Sequence, residues 1–143
     1  MFLDVKFLGE TYFRNVKFYK TDFFRVTFHN SVKFIGKDEN KIFKSSVDFS
    51  GSNFEEPKNV EFVNVNLSKA SFLHCKNIDK IGRFEKVKWN EEYGRKAVYY
   101  EIKLKENKEK DKPYEYVEEV YRKLRINYER NLRFSEAGDF YIG

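Results

Sequence analysis

Residues 13–28 read FRNVKFYKTDFFRVTF, which places a phenylalanine at every fifth position: Phe13, Phe18, Phe23 and Phe28. On an α-helix, five residues advance about 500°, so successive phenylalanines would lie about 140° apart and form no stripe. On a β-strand, an odd spacing places each phenylalanine on the opposite face from the one before. All four rings can face one common interior only if the chain turns once per unit. The spacing therefore predicts a solenoid of stacked coils.

A smaller apolar residue stands two positions before most of these aromatic residues, as in Val16-Lys17-Phe18 and Val47-Asp48-Phe49. This spacing puts both apolar side chains on one side of an extended segment and the polar middle residue on the other. The two remaining residues of each unit are mostly polar, as turn residues commonly are. Stacked units are therefore expected to align their large inward residues in a ladder. The predicted core ladder consists of Phe7, Phe18, Phe23, Phe28, Phe34, Phe49, Phe54, Phe62, Leu67, Phe72 and Trp89.

These units resemble those of the pentapeptide-repeat proteins, which have a small residue, a polar residue, Leu or Phe, and two variable positions. The resemblance covers about residues 2–89. It implies a mainly β fold, a right-handed quadrilateral β-helix in which four units make one coil. With about 20 residues per coil, this stretch would form four to five coils. The chain has Val where the family usually has Ala and Phe where it usually has Leu, which implies a wider interior.

Two polar segments, residues 36–41 and 55–59, interrupt the five-residue spacing. Insertions in solenoids go to corners, so both segments are predicted to be loops that leave the solenoid wall. The gap from Phe34 to Phe49 equals three units, which predicts that the coil continues beneath the first loop. An antiparallel sandwich is the alternative, because Val-x-Phe also alternates like a strand. Sandwich turns recur every 8–12 residues, however, and the spacing of five favours the solenoid.

The repeat ends at Trp89, which divides the chain into a β-helix (1–90), a charged connector (91–112) and a helical C-terminal segment (113–143). Pro113 suits a first helical position, and Ser135 is predicted to cap a second short helix. The segment resembles the helical C-terminal extension of some bacterial and archaeal pentapeptide-repeat proteins, a few of which continue into membrane-spanning helices. The apolar residues at helical spacing are Val117, Val120, Tyr121, Leu124 and Tyr128.

The sequence contains no motif typical of catalysis, of a cofactor site or of a metal site. Cys75 falls in a small inward slot, where a free thiol packs as an apolar group. His29 and His74 fall at outward positions, and the adjacent pair His74-Cys75 lacks the spacing of metal ligands. We therefore predict a protein that is not an enzyme and that holds no metal or cofactor.

The net charge of +5 lies entirely in residues 1–90, since residues 91–143 carry equal numbers of acidic and basic side chains. Lys6, Lys17 and Lys33 occupy the same outward unit position, so a nucleic-acid-binding face is one hypothesis. Asp48 and Glu61 occupy equivalent positions further on, which favours a mixed, solvated face. Some pentapeptide-repeat proteins mimic DNA with an acidic surface, and the positive charge disfavours that role here.

A single cysteine, the lack of an apolar run near 20 residues and the lack of a secretory signal predict a cytoplasmic protein with no membrane segment. The leading hypothesis is a non-enzymatic structural module that displays solenoid faces and loops to a protein partner. Alternatively, it pairs with itself as a homodimer, through a solenoid end or through the C-terminal helices. A third hypothesis is the soluble part of a membrane-associated protein, which predicts a gene that continues past Gly143.

Overall fold

A computed structural model describes residues 4–37, 43, 46–92, 95–97 and 114–131. Parallel strands stack there as a β-solenoid of about three turns, followed by one helix, α1 (Tyr114–Arg130). The predicted mainly β solenoid with a C-terminal helix is therefore confirmed. Pro113, Ser135 and the predicted second helix lie outside the described residues.

The strands are short because the chain turns after nearly every unit. All twelve contain two to four residues. They are β1 (Lys6–Phe7), β2 (Thr11–Arg14), β3 (Thr21–Asp22), β4 (Thr27–Phe28), β5 (Val32–Ile35), β6 (Val47–Asp48), β7 (Asn53–Phe54), β8 (Val60–Val63), β9 (Ala70–Ser71), β10 (Arg83–Glu85), β11 (Asn90–Glu92) and β12 (Arg95–Ala97).

Three parallel sheets form walls of the solenoid, with the orders β1-β4-β7, β2-β5-β8-β10 and β3-β6-β9. The register aligns equivalent units, so that Phe13, Phe34, Phe62 and Phe84 lie side by side across the four-stranded sheet. A separate parallel bridge joins Asn66 to Lys88 on a further side. The hairpin of β11 and β12 is antiparallel and stands apart from these sheets.

The aromatic side chains stack on one another from coil to coil. Phe34 lies 4.9 Å from Phe62 between ring centroids, at an interplanar angle of 9°, and Phe49 lies 5.3 Å from Phe72 at 4°. Of the predicted ladder residues, Phe7 and Phe18 are partly buried and the other nine are buried in the core. Rings from neighbouring sides meet edge to face, an arrangement that aromatic quadrupoles favour.

Several corners are made by a residue in the left-handed conformation, two positions after a ladder aromatic. The φ angles are +56° at Asn15, +52° at Arg25, +53° at Asn64 and +50° at Lys86. Left-handed backbone disfavours residues with a Cβ, yet among the described corners of this kind only Gly51 is a glycine. The sequence predicts a polar turn at these places but does not reveal the left-handed backbone conformation.

The gap between Phe34 and Phe49 departs from the five-residue phase. Phe43 lies in this gap, is buried, and stacks on Phe18 at 5.3 Å. The coil therefore does continue past the first insertion. The ladder residue that continues it, however, stands one position away from the phase of Phe34 and Phe49, where counting in fives would not find it.

Helix α1 packs against the last coil, at the C-terminal end of the solenoid. Its buried residues are Val117, Val120, Tyr121, Leu124, Asn127 and Tyr128, five of which form the apolar stripe of the sequence. Within the described part of the chain, no helix combines the length and the apolar character needed to cross a bilayer.

Candidate interaction surfaces

The aromatic end of α1 continues the ring ladder of the solenoid. Tyr128 stacks on Phe84 with ring centroids 6.1 Å apart and an interplanar angle of 21°. Its hydroxyl oxygen accepts a hydrogen bond from Trp89 Nε1 at 3.0 Å. Tyr128 of the helix thus stacks where an aromatic residue of a further coil would stack. Its hydroxyl group is hydrogen-bonded inside the interface.

Asn127 fixes the helix to the short 3-10 helix Ile78–Lys80 and the residue after it. Its side-chain nitrogen donates to the carbonyl oxygens of Ile81 at 2.7 Å and Ile78 at 3.1 Å, with Asp79 at 3.4 Å. The residue is 1% exposed. In the sequence, the signal of this contact is a polar residue that lies inside the apolar stripe of a predicted helix.

Cys75 is buried beneath α1, and burial raises the pKa of its thiol well above the ordinary value. Lys123 Nζ donates to the carbonyl oxygen of Cys75 at 3.3 Å, which ties this turn to the helix. A thiol that is both protonated and covered reacts poorly.

We expect Cys75 in the native protein to resist an aromatic disulfide reagent at neutral pH and to react at the rate at which the protein opens. Adding about 6 M urea should make labelling complete within the mixing time. A native rate near that of a free thiol would contradict the buried placement.

The two histidines do not gather into a ligand site. His29 Nδ1 lies 2.5 Å from Glu55 Oε2 at the surface, and His74 is an exposed corner residue with φ of +54°. Among the described residues, no group of three or more His, Cys, Asp or Glu side chains is placed to hold a metal ion.

A charged groove of about 460 Å³ runs across the outer face of the sheet β2-β5-β8-β10. The register places four outward residues in one row across the strands: Tyr12, Lys33, Glu61 and Arg83. Lys33 Nζ lies 5.5 Å from the Tyr12 ring centroid and 3.0 Å from Glu61 Oε2. Arg83 reaches the other oxygen of Glu61 at 3.2 Å and also contacts Glu85.

Glu61 is the centre of this row, because two cations share its carboxylate. Burial alone would raise the pKa of the Glu61 carboxyl, but hydrogen bonds and charge from Lys33 and Arg83 more than offset it and lower the pKa. The hydrogen bond to Glu61 raises the pKa of Lys33 in turn. The positive charges of Lys33 and Arg83 are therefore partly offset by Glu61 within the row itself.

Replacing Glu61 with glutamine should lower the free energy of unfolding by about 1 kcal/mol near neutral pH, since two half-exposed ion pairs are lost. A carboxyl whose folded pKa is lowered adds stability above its ordinary value of 4.5 and loses it as the pH falls. The difference between wild type and variant should therefore shrink below about pH 4.5. Urea titrations at several pH values measure it, with exposed Glu56→Gln as the control; a constant difference would contradict the pairing.

The second insertion does not leave the wall as predicted but lies against the next coil. Its 3-10 helix, Pro57–Asn59, accepts a hydrogen bond from Gly82 N at the Pro57 carbonyl oxygen, at 2.9 Å. A Cβ at Gly82 would stand 2.1 Å from the Lys58 carbonyl oxygen, so only glycine permits this approach. The insertion forms one rim of the charged groove. Of the first insertion, only Gly36 and Lys37 are among the described residues.

Lys6, Lys17 and Lys33 do not form one basic face, because the three lysines lie on different sides. Lys6 belongs to β1 and Lys33 to β5, which are in separate sheets, and Lys17 lies outside both. Unit position alone does not align residues, since neighbours across coils are four or more units apart. Lys33 has Tyr12 and Glu61 beside it instead.

The first coil, which contains β1, β2 and β3, exposes large apolar side chains, which together we call the first-coil surface. It comprises the exposed large apolar residues, all of which fall within residues 8–24 among those described: Leu8, Tyr12, Val16, Tyr19 and Phe24. Leu8 is 72% exposed and Tyr19 is 67% exposed. The ladder rings of Phe7, Phe13 and Phe18 are only partly buried at this end. Large apolar side chains exposed within one coil are candidates for an interaction site.

Comparisons with models of protein families, with curated proteins and with solved structures found no match to this chain.

Proposed function

We propose that this protein is a non-enzymatic interaction module of the pentapeptide-repeat type, whose first coil and charged groove receive a protein partner. The observation that carries the proposal is the difference between the two ends of the solenoid. One end is closed by α1 through Tyr128 and Asn127, whereas the other has the first-coil surface. A partner that covers this surface would remove exposed rings from water.

The proposal includes a right-handed, four-sided winding with four to five coils. The proposal of four sides is supported by four ladder positions: Phe13 and Phe28 belong to two different sheets, Phe23 directly follows a strand of the third sheet, and Phe18 lies in none of the three. The four-stranded sheet β2-β5-β8-β10 supports at least four tiers along one side. A crystal structure of the chain tests both the hand and the count.

Cys75, the single cysteine, suits a reducing compartment, and we place the protein in the cytoplasm on that ground.

The proposal that the first coil receives a protein partner is tested by a pull-down from the native host with wild-type protein, Tyr19→Asp and the control Lys69→Asp. Lys69 is exposed and lies outside the first coil. A partner retained by wild type and control but lost with Tyr19→Asp supports the proposal. Equal capture by all three would contradict the assignment to this surface.

Nucleic-acid binding is a second candidate, favoured by one feature of the first coil. Tyr19 lies between Lys17 and Lys20, and all three are exposed. Aromatic rings flanked by cations are typical of single-stranded nucleic-acid sites, where bases stack and phosphates pair. Fluorescence anisotropy with a labelled oligonucleotide at low salt tests it, and the expected signature is binding that weakens steeply as salt rises.

A further inference from the structure

We propose that two copies of this chain pair head to head through the outer edge of β2, about a twofold axis at Phe13. This inference rests on the proposed function and names a second copy as the occupant of the first coil. The strand is the terminal member of its sheet, and among the described residues no strand lies on its outer side. An open edge of this kind is a template for another strand.

The backbone of β2 shows which groups are available for pairing. Thr11 N donates to the Ser31 carbonyl oxygen at 3.0 Å, and Asn15 N donates to the Ile35 carbonyl oxygen at 2.8 Å. Peptide groups alternate in direction from one residue to the next along a strand, so Phe13 faces β5 like Thr11 and Asn15, and the two residues that alternate with them point the other way. The N–H and C=O groups of Tyr12 and Arg14 are therefore directed outward from the sheet edge.

A twofold axis makes such an edge meet its own copy antiparallel. When Phe13 stands opposite its own equivalent, Tyr12 stands opposite Arg14 of the partner subunit. Directly opposed residues whose peptide groups face each other exchange both hydrogen bonds, so two such pairs give about four bonds. This register uses the N–H and C=O groups of Tyr12 and Arg14, which do not hydrogen-bond to β5.

The same register suits the side chains on both faces. Inside, Phe13 stacks on Phe34 at 5.0 Å, and the Phe13 ring of the second copy would extend that column. Outside, the guanidinium of Arg14 in the partner subunit would lie beside the Tyr12 ring, and Glu10 is its diagonal neighbour within reach of a long side chain. Glu10 and Tyr12 line the charged groove together, so both are on the outer face.

The first coil is basic overall, which sets the expected strength of the dimer. Its cations outnumber its anions, and one anion, Asp4, is already paired with Arg25 at 3.1 Å. Like charge opposes association, so the dimer should be weak at low salt and stronger as salt screens the repulsion. Single-stranded nucleic acid would show the opposite salt dependence.

Sedimentation velocity of the full chain, from about 1 µM to about 300 µM, is the first test. Wild-type protein should shift from monomer to dimer over this range, and more completely at about 0.5 M salt than at low salt. Monomer at every concentration would overturn the proposal. It would leave the partner pull-down unaffected, so failure here and failure of the proposed function are distinguishable.

A charge exchange tests the register. Arg14→Glu should weaken the dimer at least about tenfold, because the new carboxylate faces Glu10 of the partner subunit, and Glu10→Arg added to it should restore most of the loss. Lys69→Glu, with the same charge change outside the first coil, should leave the dimer unchanged. Circular dichroism melts establish that each variant is folded.

Three results would overturn the assignment. A dimer insensitive to Arg14→Glu would lie elsewhere, for example on α1. A double variant no better than the single one would remove the Glu10–Arg14 register. A monomeric protein that binds a labelled oligonucleotide through Tyr19 would assign the first coil to nucleic acid instead.

Discussion

Replacing Phe34 with alanine is expected to lower the free energy of unfolding by about 3–5 kcal/mol. The Phe34 ring is fully buried and stacks between Phe13 at 5.0 Å and Phe62 at 4.9 Å. Coils above and below are held by strand pairing, so they cannot collapse into the space left behind. Domains of this size are stable by about 5–15 kcal/mol in total. Urea denaturation followed by circular dichroism measures the loss.

Phe24→Ala is the matched control, because it makes the same chemical change outside the ladder. Phe24 directly follows the ladder residue Phe23, is 37% exposed, and lies beneath the Arg25 guanidinium at 5.0 Å. We expect this variant to lose less than about 1 kcal/mol. Comparable losses in the two variants would mean that the five-residue phase does not decide which phenylalanines support the fold.

Replacing Asn127 with aspartate is expected to cost about 3–5 kcal/mol at neutral pH, although the two side chains have nearly the same shape. The amide nitrogen that donates to the carbonyl oxygens of Ile78 and Ile81 becomes an oxygen that faces them. The other side-chain oxygen keeps the long hydrogen bond that Asn131 Nδ2 donates at 3.3 Å, which compensates little for the burial of a full negative charge. Trp89, the single tryptophan, donates a hydrogen bond to Tyr128 in the same interface. Its fluorescence emission should therefore shift to the red as α1 undocks.

The pH dependence of this variant has a definite sign. Burial among carbonyl oxygens raises the pKa of the new carboxyl above its unfolded value of about 3.9, so the variant folds with the group protonated at low pH. Its deficit relative to wild type should therefore be smallest in acid and should grow as the pH rises. Melting temperatures of both proteins between about pH 4 and pH 8 measure this trend.

Arg130→Gln controls for the charge change on the helix, because it also changes the net charge by −1. Arg130 is exposed in the last turn of α1, where losing a cation costs at most about 1 kcal/mol. A deficit at Arg130 equal to that at Asn127, or an Asn127 variant with unchanged tryptophan emission, would contradict the docking role of the Asn127 amide.

Much of the solenoid interior could be predicted from the spacing of phenylalanines, because each unit places its own ring by local geometry. Phe43 could not, since the insertion before it breaks the phase, and only its stack on Phe18 identifies it. Insertions also change which units become neighbours. Phe13 pairs with Phe34, 21 residues later, whereas Phe34 pairs with Phe62, 28 residues later.

The candidate surfaces were less predictable for the same reason. Tyr12, Lys33, Glu61 and Arg83 form one row only because the insertion lengths bring their strands into register. Lys6, Lys17 and Lys33 share a unit position but lie on different sides, since equal unit positions recur on every side of a coil. Asn127 and Gly82 function through contacts with distant segments that no local pattern encodes.

By itself, then, the amino-acid sequence determined that the chain coils, which side chains point inward and where the repeat gives way to a helix. These properties depend on spacings of two and five residues within a single unit. The tertiary structure alone decided which units stack, which end α1 closes and which edge and rings stay open in the first coil. Those outcomes depend on contacts between residues some 20 to 50 positions apart, where insertion length and packing, rather than local spacing, decide the neighbours.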